Sequence, residues 1–358
     1  MHMRQTTLRR FPADDIRFES VTGLVRRPEP QNASTGSEQY AQMHQNTYAY
    51  IRSCPVCEGS HSMSIQFSSL SAIAVNLLRG KKSFPGRWRI ERWLANQPRS
   101  LMMMPPRLME LGGNTQILVE AFNNRDMYVQ PTIRDKDELV LLVFNALLRP
   151  GDNVLDVGAN IGRMTVLASK LVGSSGQVLS FEPSPMVIAS LYKNIFINRC
   201  QNVSIKNYAV SDADGLMPFH VSLDTNSGLG SFRDFGKNHC LVIDVPVRQL
   251  DQENNLPESV RLIKIDTEGA DLRVLRGAQS LITRCRPVIV MEFSPTWITQ
   301  IGDDPSWMLK FAERHKYNLY QLHLDSPKPL VDLPSVQIDL LCTPKPLAEA
   351  NWNSLTKL

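Results

Sequence analysis

Three short stretches carry side chains able to do chemistry. The run NVLDVGANIGRMT at 153–165 sets Asp156 at the end of an apolar segment and follows it with Gly158, Ala159, Asn160 and Gly162 in a small loop. SFEPSP at 180–185 places Glu182 and Pro183 after a second apolar segment. IKIDTEG at 263–269 puts Lys264 and Asp266 two apart at the end of a third, with Glu268 and Gly269 in the turn beyond.

The loop narrows the ligand. Gly158 and Gly162 let the backbone turn sharply and approach a neighbour without a Cβ in the way. The dinucleotide fingerprint is Gly-x-Gly-x-x-Gly, and Asn160 stands where its second glycine belongs. No Lys-Ser/Thr pair follows to make a phosphate-binding loop. An acid at the strand end suits an ammonium-bearing ligand better than a phosphate. S-adenosylmethionine carries such an ammonium and a sulfonium. Glu182 lies where a carboxylate accepts both hydrogen bonds of a ribose diol. NAD shares that diol, so Glu182 alone does not discriminate; loop and acid together favour the sulfonium nucleoside.

Methyl transfer from that donor is an in-line displacement, and the protein must align acceptor and S–CH₃ bond. An alcohol acceptor must also lose a proton, which calls for a general base. Side chains two apart on a strand share a face, so Lys264 and Asp266 point together. Asp266 or Glu268 is expected to accept the proton or orient the hydroxyl, and Lys264 to hold a carboxylate in place. The plainer alternative is a buried ion pair that only fixes the turn. Glu292, closing PVIVMEF, is a further candidate for substrate contact. His220 and His239, flanking SLDTNSGLGSFRDFGKN, are alternative bases. Two carboxylates could take Mg²⁺, and Cys54-x₂-Cys57 with His61 offers three of the four ligands of a structural zinc. No metal is expected at either place.

The elements that must position these residues alternate. From 136 onward, apolar strands (NVLDV, QVLSFE, VSIKNYAV, RLIKID, PVIVMEF) are separated by helical stretches (KDELVLLVFNALL, RMTVLASKLV, PMVIASLYKNIFIN, DLRVLRGAQSLI, WMLKFAERH). This pattern predicts right-handed crossovers and a doubly wound, mostly parallel sheet. NLYQLHL and VQIDLLCTP have no helix between them and are expected as an antiparallel pair at one edge. LMPFHVS and CLVIDVPV read as added strands. Upstream, TQILVEAF and DMYVQPTI read as two strands around NNRD, and RWRIERWLANQ at 87–97 as a helix with Trp88, Trp93 and Leu94 inward.

These residues resemble the FkbM family of S-adenosylmethionine-dependent methyltransferases. DVGANIGRMT, FEPSP with LYKNIFIN, NYAVSD, IKIDTEGADLRVLRGA and VIVMEF occur in the family's order over about residues 136–325. Thr267 stands where the family usually has Val. The resemblance implies a class I methyltransferase (Rossmann-like) fold with a seven-stranded sheet and an antiparallel edge strand, S-adenosylmethionine as donor and S-adenosylhomocysteine as product. It also implies O-methylation of a sugar, glycan or natural-product hydroxyl. Asp156, Gly158, Asn160 and Gly162, with Ala159 between them, would frame the methionine part. Glu182 and Pro183 would lie at the ribose. Ala209 to Asp212, Ser211 included, would border the adenine, and Glu138 would reach the cofactor from the preceding helix. Other readings are N-methylation of a small molecule, a catalytically inactive scaffold of the same fold, and an NAD enzyme.

Composition bounds the rest. The chain has 358 residues, 42% hydrophobic, with a net charge of +4. It holds no apolar run of membrane-span length and no signal-peptide core at its start, which predicts a cytoplasmic protein. Scattered cysteines at 54, 57, 200, 240, 285 and 342 read as free thiols. The mild basic excess lies before residue 136 and reads as solvated surface, with no nucleic-acid partner expected. Expected segments are a flexible 1–45, an extension at 46–134, the catalytic domain at 135–346 and a tail at 347–358. The acceptor is expected to be a small molecule, a glycan or a carrier-bound group, and a homodimer is compatible with the composition.

Overall fold

The structure is a computed structural model that describes residues 104–347 apart from 113–114, 130–137, 223–229 and 235–239, with residues 70, 72–75, 78, 89–90 and 93. The chain separates into two units, 1–58 and 59–358, and every described residue belongs to the second. Cys54, Cys57, His61, Trp88, Leu94, His239 and the segments at 1–45 and 348–358 lie outside the described residues.

Apolar strands in the middle of the chain build one large sheet. Its strands are β3 (Asn153–Val157), β4 (Gln177–Phe181), β5 (Val203–Lys206), β10 (Leu262–Ile265), β11 (Val288–Phe293), β12 (Asn318–Gln321), β13 (Lys328–Pro329) and β14 (Ile338–Thr343). Their order is β13-β12-β14-β11-β10-β3-β4-β5. The five from β5 to β11 are parallel. The chain lays down β3, β4 and β5 in one direction, then returns to β10 on the other side of β3. The switch point therefore falls between β3 and β10, where an open α/β sheet binds its ligand. The expected antiparallel pair, β12 and β14, is present. β14 nevertheless inserts between β11 and β12 rather than closing the edge, and the two-residue β13 forms the antiparallel rim. A Leu-Leu-Cys run buried on both faces belongs inside a sheet.

Strand alternation sorts the core into two faces. Leu155, Val157, Leu179, Phe181, Ile263 and Ile265 face one cluster, shared with Leu272 and Leu275 of α5 (Asp271–Arg276), Leu281 and Ile282 of α6 (Gln279–Cys285) and Phe311 of α8 (Trp307–His315). Val154, Val178 and Leu262 face the other, covered by Phe144 and Leu147 of α2 (Glu138–Leu147) and Met164 and Ala168 of α3 (Arg163–Val172). DLRVLRGAQSLI is two helices, not one. A Cβ at Gly277 would lie 2.0 Å from the Ser211 carbonyl oxygen, so the helix breaks where it must pack against that backbone. α7 (Pro295–Gln300), not anticipated from the pattern, starts on a Ser294 cap and a proline.

VSIKNYAV also divides. Val203–Lys206 joins the large sheet, whereas β6 (Ala209–Val210) pairs with β9 (Cys240–Arg248) in a second sheet of order β6-β9-β7-β8, with β7 Gly215–Ser222 and β8 Gly230–Ser231. Gly230 is needed there, since a Cβ would meet the Phe219 ring at 2.4 Å.

The lead-in differs most from expectation. TQILV is β2 (Thr115–Val119), but its partner is the upstream β1 (Arg107–Gly112), and Arg125–Tyr128 forms a single helical turn, α1. Only one edge of β2 is used by β1, and α4 (Ile188–Ile197) meets the other with asparagines. Asn194 Oδ1 accepts from the Leu118 N–H at 2.7 Å while its Nδ2 donates to the Leu118 carbonyl. Asn198 does the same to Gln116, at 3.0 and 2.6 Å. Two carboxamides one helical turn apart thus substitute for a neighbouring strand. Trp93 packs partly buried in the cluster beneath this hairpin, with Ile117 and Val119. Asn194→Ala should cost about 2–4 kcal/mol by leaving backbone groups without partners, and should speed amide exchange at Leu118 while Gln116 stays protected. Asn198→Ala should reverse that pattern. Hydrogen-exchange mass spectrometry with urea unfolding measures both.

Candidate active site

Period-two alternation puts one polar residue from each of three adjacent strands on the same face. Ser180 of β4 stands opposite Asp156 of β3, which stands opposite Lys264 of β10. The positions preceding them on that face, Val178, Val154 and Leu262, are apolar and buried. Asp156 is 0% exposed. Its carboxylate lies 3.2 Å from the Lys264 ammonium and accepts a 2.6 Å hydrogen bond from Thr165 of α3, whose hydroxyl also pairs with Ser180. Lys264 donates to the Gly158 carbonyl at 2.7 Å and pairs with Asp266 at 3.4 Å. Burial by itself would lower the lysine pKa. The carboxylates of Asp156 and Asp266 outweigh it and hold the ammonium charged.

This corrects the reading of Asp156. The acid at the strand end does find an ammonium, but it is the protein's own, and Asp156 does not line the cleft. The glycines are also explained by packing. Gly158 has φ +78°, and a Cβ on it would lie 1.8 Å from the Asp266 carbonyl oxygen. Gly162 has φ +88°, caps α3 and sits against Leu191.

The loop leaves no cradle. The N–H groups of Gly158 and Ala159 both donate to the Phe181 carbonyl, Gly162 donates to the Ala159 carbonyl, and Ile161 to the Asn160 side chain. The Asn160 N–H donates to Glu182 at 2.7 Å, with Asn160 itself in the left-handed region at φ 51°. Every amide from 158 to 162 thus has a protein partner, and none is left for a pyrophosphate.

At the carboxyl ends of β3, β4 and β10 opens a cleft, at the place where an open α/β sheet binds its ligand. Gly158, Asn160, Glu182, Pro183, Ala209, Asp266 and Glu268 line it, with Val210, Phe219, Gly230 and Phe232 supplying an apolar wall from the second sheet. Ala159 and Gly162 serve the loop's own packing. Ser211 and Asp212 lie outside the lining because the third strand ends at Lys206, and Asp212 pairs with Arg276 at 2.7 Å. Glu138 opens α2, and its side chain is outside the described residues. Phe219, Phe232 and Gly230 were missed because only the fold brings the second sheet over the cleft.

Glu182 is buried and accepts from the Asn160 and Ser184 amides, one on each oxygen. A carboxylate has about four acceptor positions, so two remain for a diol. Burial pushes its pKa up to about 7 against the pull of those amides and of Lys264.

The IDTEG turn is held from behind by Asp271, which sequence reasoning passed over. Its carboxylate accepts from the Thr267 amide and hydroxyl and from the Gly269 amide. Burial raises its pKa to about 6. Glu268 has φ 55°, and its carbonyl accepts from Ser231 of β8. Asp266, Glu268 and Glu292 bring carboxylate oxygens within 4.8 Å of one another. Glu292 accepts from Gln337. Burial, then the charges of Asp266 and Glu268, push its pKa upward. His220 does not line the cleft.

The Methyltransferase FkbM domain family matches residues 156–319, from Asp156 through the whole constellation. The 2-O-methyltransferase NoeI of Sinorhizobium fredii is 30% identical over 173 residues, covering 42% of this chain and 67% of that protein. The chain belongs to the FkbM methyltransferase family. The 31-O-demethyl-FK506 methyltransferase FkbM of Streptomyces tacrolimicus is 31% identical over 161 residues, covering 37% of this chain and 61% of its own length. Methyltransferase 1 of Beauveria bassiana is 27% identical over 148 residues, covering 36% and 59%. The chain thus spans about three fifths of those last two relatives. In this FkbM-family domain the matched residues begin in β3 and run through β4, β5, β10 and β11 of the large sheet. No helix among the described residues is long and apolar enough to cross a membrane.

Lys264→Met should leave the Asp156 charge buried without a counter-ion and cost about 3–5 kcal/mol, whereas Lys264→Met combined with Asp156→Asn should recover most of that loss. Urea unfolding of the singles and the double variant measures it.

Proposed function

We propose that this protein transfers a methyl group from S-adenosylmethionine to a hydroxyl oxygen of a neutral sugar, glycan or natural-product acceptor, releasing S-adenosylhomocysteine. The observation that carries the reading is the loop's amide accounting. With every N–H from 158 to 162 engaged inside the protein, the cleft recognises its nucleoside through a carboxylate and apolar walls, not through a phosphate cradle. Membership of the FkbM family supports the same donor. The names of the two bacterial relatives both specify O-methylation, which supports oxygen as the acceptor atom.

Glu182 would hold the ribose hydroxyls. Asn160 and the Gly158 backbone would border the amino-acid part, and Ala209, Val210 and Phe219 the base. The donor supplies a methyl activated by sulfonium charge. The chain's residues then have two tasks. They fix the acceptor oxygen in line with that methyl, and they take its proton as the new O–C bond forms and the S–C bond breaks. Asp266 faces the cleft with its side chain 42% exposed, and Lys264 fixes its orientation from beneath. It is the proton acceptor in this reading, with Glu268 orienting the hydroxyl. Two carboxylates at the acceptor position repel carboxylate or phosphate groups, so a neutral acceptor fits best.

Titration calorimetry should show S-adenosylhomocysteine binding and no binding of a pyridine dinucleotide; the reverse result defeats the proposal. Affinity should rise with pH through about 7, because Glu182 accepts two hydroxyls only when ionised and its pKa is raised to about 7. A flat profile would remove Glu182 from the ribose site. Labelled donor incubated with extract fractions identifies the acceptor. With it, Asp266→Asn should lower turnover by about 10²- to 10⁴-fold while nucleoside affinity changes little. Unchanged turnover would exclude Asp266 as the base.

A further inference from the structure

The second sheet carries a group of side chains that the cleft does not use. His220 of β7, Asp234 in the bend after β8 and Cys240 at the start of β9 each bring one ligand-type atom within 4.8 Å of the others. His220 stands opposite Val242, and Cys240 lies two residues before Val242 on the same face. The histidine and cysteine are therefore diagonal neighbours. Asp234 arrives from the segment that follows Ser231, which stands opposite His220.

The distances converge on one atom. Nδ1 of His220 lies 3.3 Å from Cys240 Sγ and 3.8 Å from Asp234 Oδ1. A thiol–imidazole–carboxylate proton relay would use the two opposite ring nitrogens, one for each partner. Here both partners address the same nitrogen, and an N–H can aim at only one of them. Groups that share a cation show this arrangement instead. Zinc bonds of about 2.0–2.3 Å set tetrahedral nitrogen, sulfur and oxygen ligands about 3.3–3.6 Å apart. The donor set of one thiol, one imidazole and one carboxylate is borderline-soft, which selects zinc and cobalt over magnesium and calcium.

We propose that His220, Asp234 and Cys240 form a binding site for a zinc-class divalent cation, with a fourth position open to water. On binding, the Cys240 S–H releases its proton to solvent as the S–metal bond forms. The site would act on the cleft through the strand that bounds it. Phe232 lines the cleft, and Ser231 donates to the Glu268 carbonyl at 2.9 Å and accepts from the Arg233 N–H. The Arg233 guanidinium lies 4.5 Å above the Trp297 ring. A cation joining Asp234 to β7 and β9 would clip this segment in place beside the acid turn.

The test is a Co²⁺ titration of the full-length protein after removal of metal with a chelator. A thiolate-to-cobalt charge-transfer band should saturate at about one equivalent and be displaced by Zn²⁺. It should persist when Cys54 and Cys57 are both changed to serine, and disappear in Cys240→Ser. His220→Ala and Asp234→Asn should each weaken Co²⁺ binding at least about tenfold. Asp234 is 64% exposed, so its variant keeps the test decisive if Cys240→Ser folds poorly. The proposal is overturned if the wild type gives no band, if the band survives Cys240→Ser, if it is lost with Cys54 and Cys57, or if Asp234→Asn binds as tightly as the wild type.

Discussion

The buried pair between Asp156 and Lys264 is the interaction on which the rest of the site depends. Two charges are taken out of water between adjacent parallel strands, and such desolvation costs several kcal/mol per ion unless geometry and hydrogen bonds compensate. Here they do. Thr165 and Ser180 extend the network on one side, and Lys264 reaches the Gly158 carbonyl and Asp266 on the other. One ammonium thereby ties the loop after β3 to the acid turn after β10, across the switch point of the sheet. The glycine at 158 is the steric counterpart of that tie, because the two backbones touch there.

From this tie the cleft follows. The loop folds onto the end of β4, engages its own amides and leaves Glu182 lining the cleft. The acid turn is fixed from behind by Asp271, which occupies the amides of Thr267 and Gly269 and lets Glu268 take a left-handed conformation. Thr267, the departure from the usual family residue, adds a hydroxyl bond to the same carboxylate. Asp266, Glu268 and Glu292 bring carboxylate oxygens within 4.8 Å of one another there, and that crowding adds to burial in raising the Glu292 pKa.

The lead-in hairpin reaches this site through hydrogen bonds. Asn194 and Asn198 hold one edge of β2, and Asn194 also donates to the Ile161 carbonyl within the loop after β3. Glu120, just after β2, accepts from Ser190, Lys193 and Asn123. Asn124 reaches Asn160 at 3.4 Å. The extension is thus part of the wall that fixes the loop, joined to it by carboxamides where a strand would otherwise be needed.

The sequence by itself determined the alternation of strands and helices, the position of β3 and α3 to the residue, and the carboxylates at the strand ends. These are local properties: apolar periodicity, glycine and proline punctuation, and an acid after an apolar run. It also showed that Lys264, inside an apolar strand, needs a partner. Register and packing lay beyond it. That Lys264 meets Asp156, over a hundred residues away, depends on which strands become neighbours and in what alignment. A one-residue slip would send the two to opposite faces. Likewise, DMYV could be read as a strand while its neighbour's true partner, RLMELG, lay upstream. DLRVLRGAQSLI reads as one helical stretch, and only the fold brings the Ser211 carbonyl oxygen to 2.0 Å from where a Cβ at Gly277 would lie. The apolar wall of Phe219 and Phe232 was invisible for the same reason. Side-chain type is written in the chain, but which groups share a cavity is decided only when distant segments close on one another.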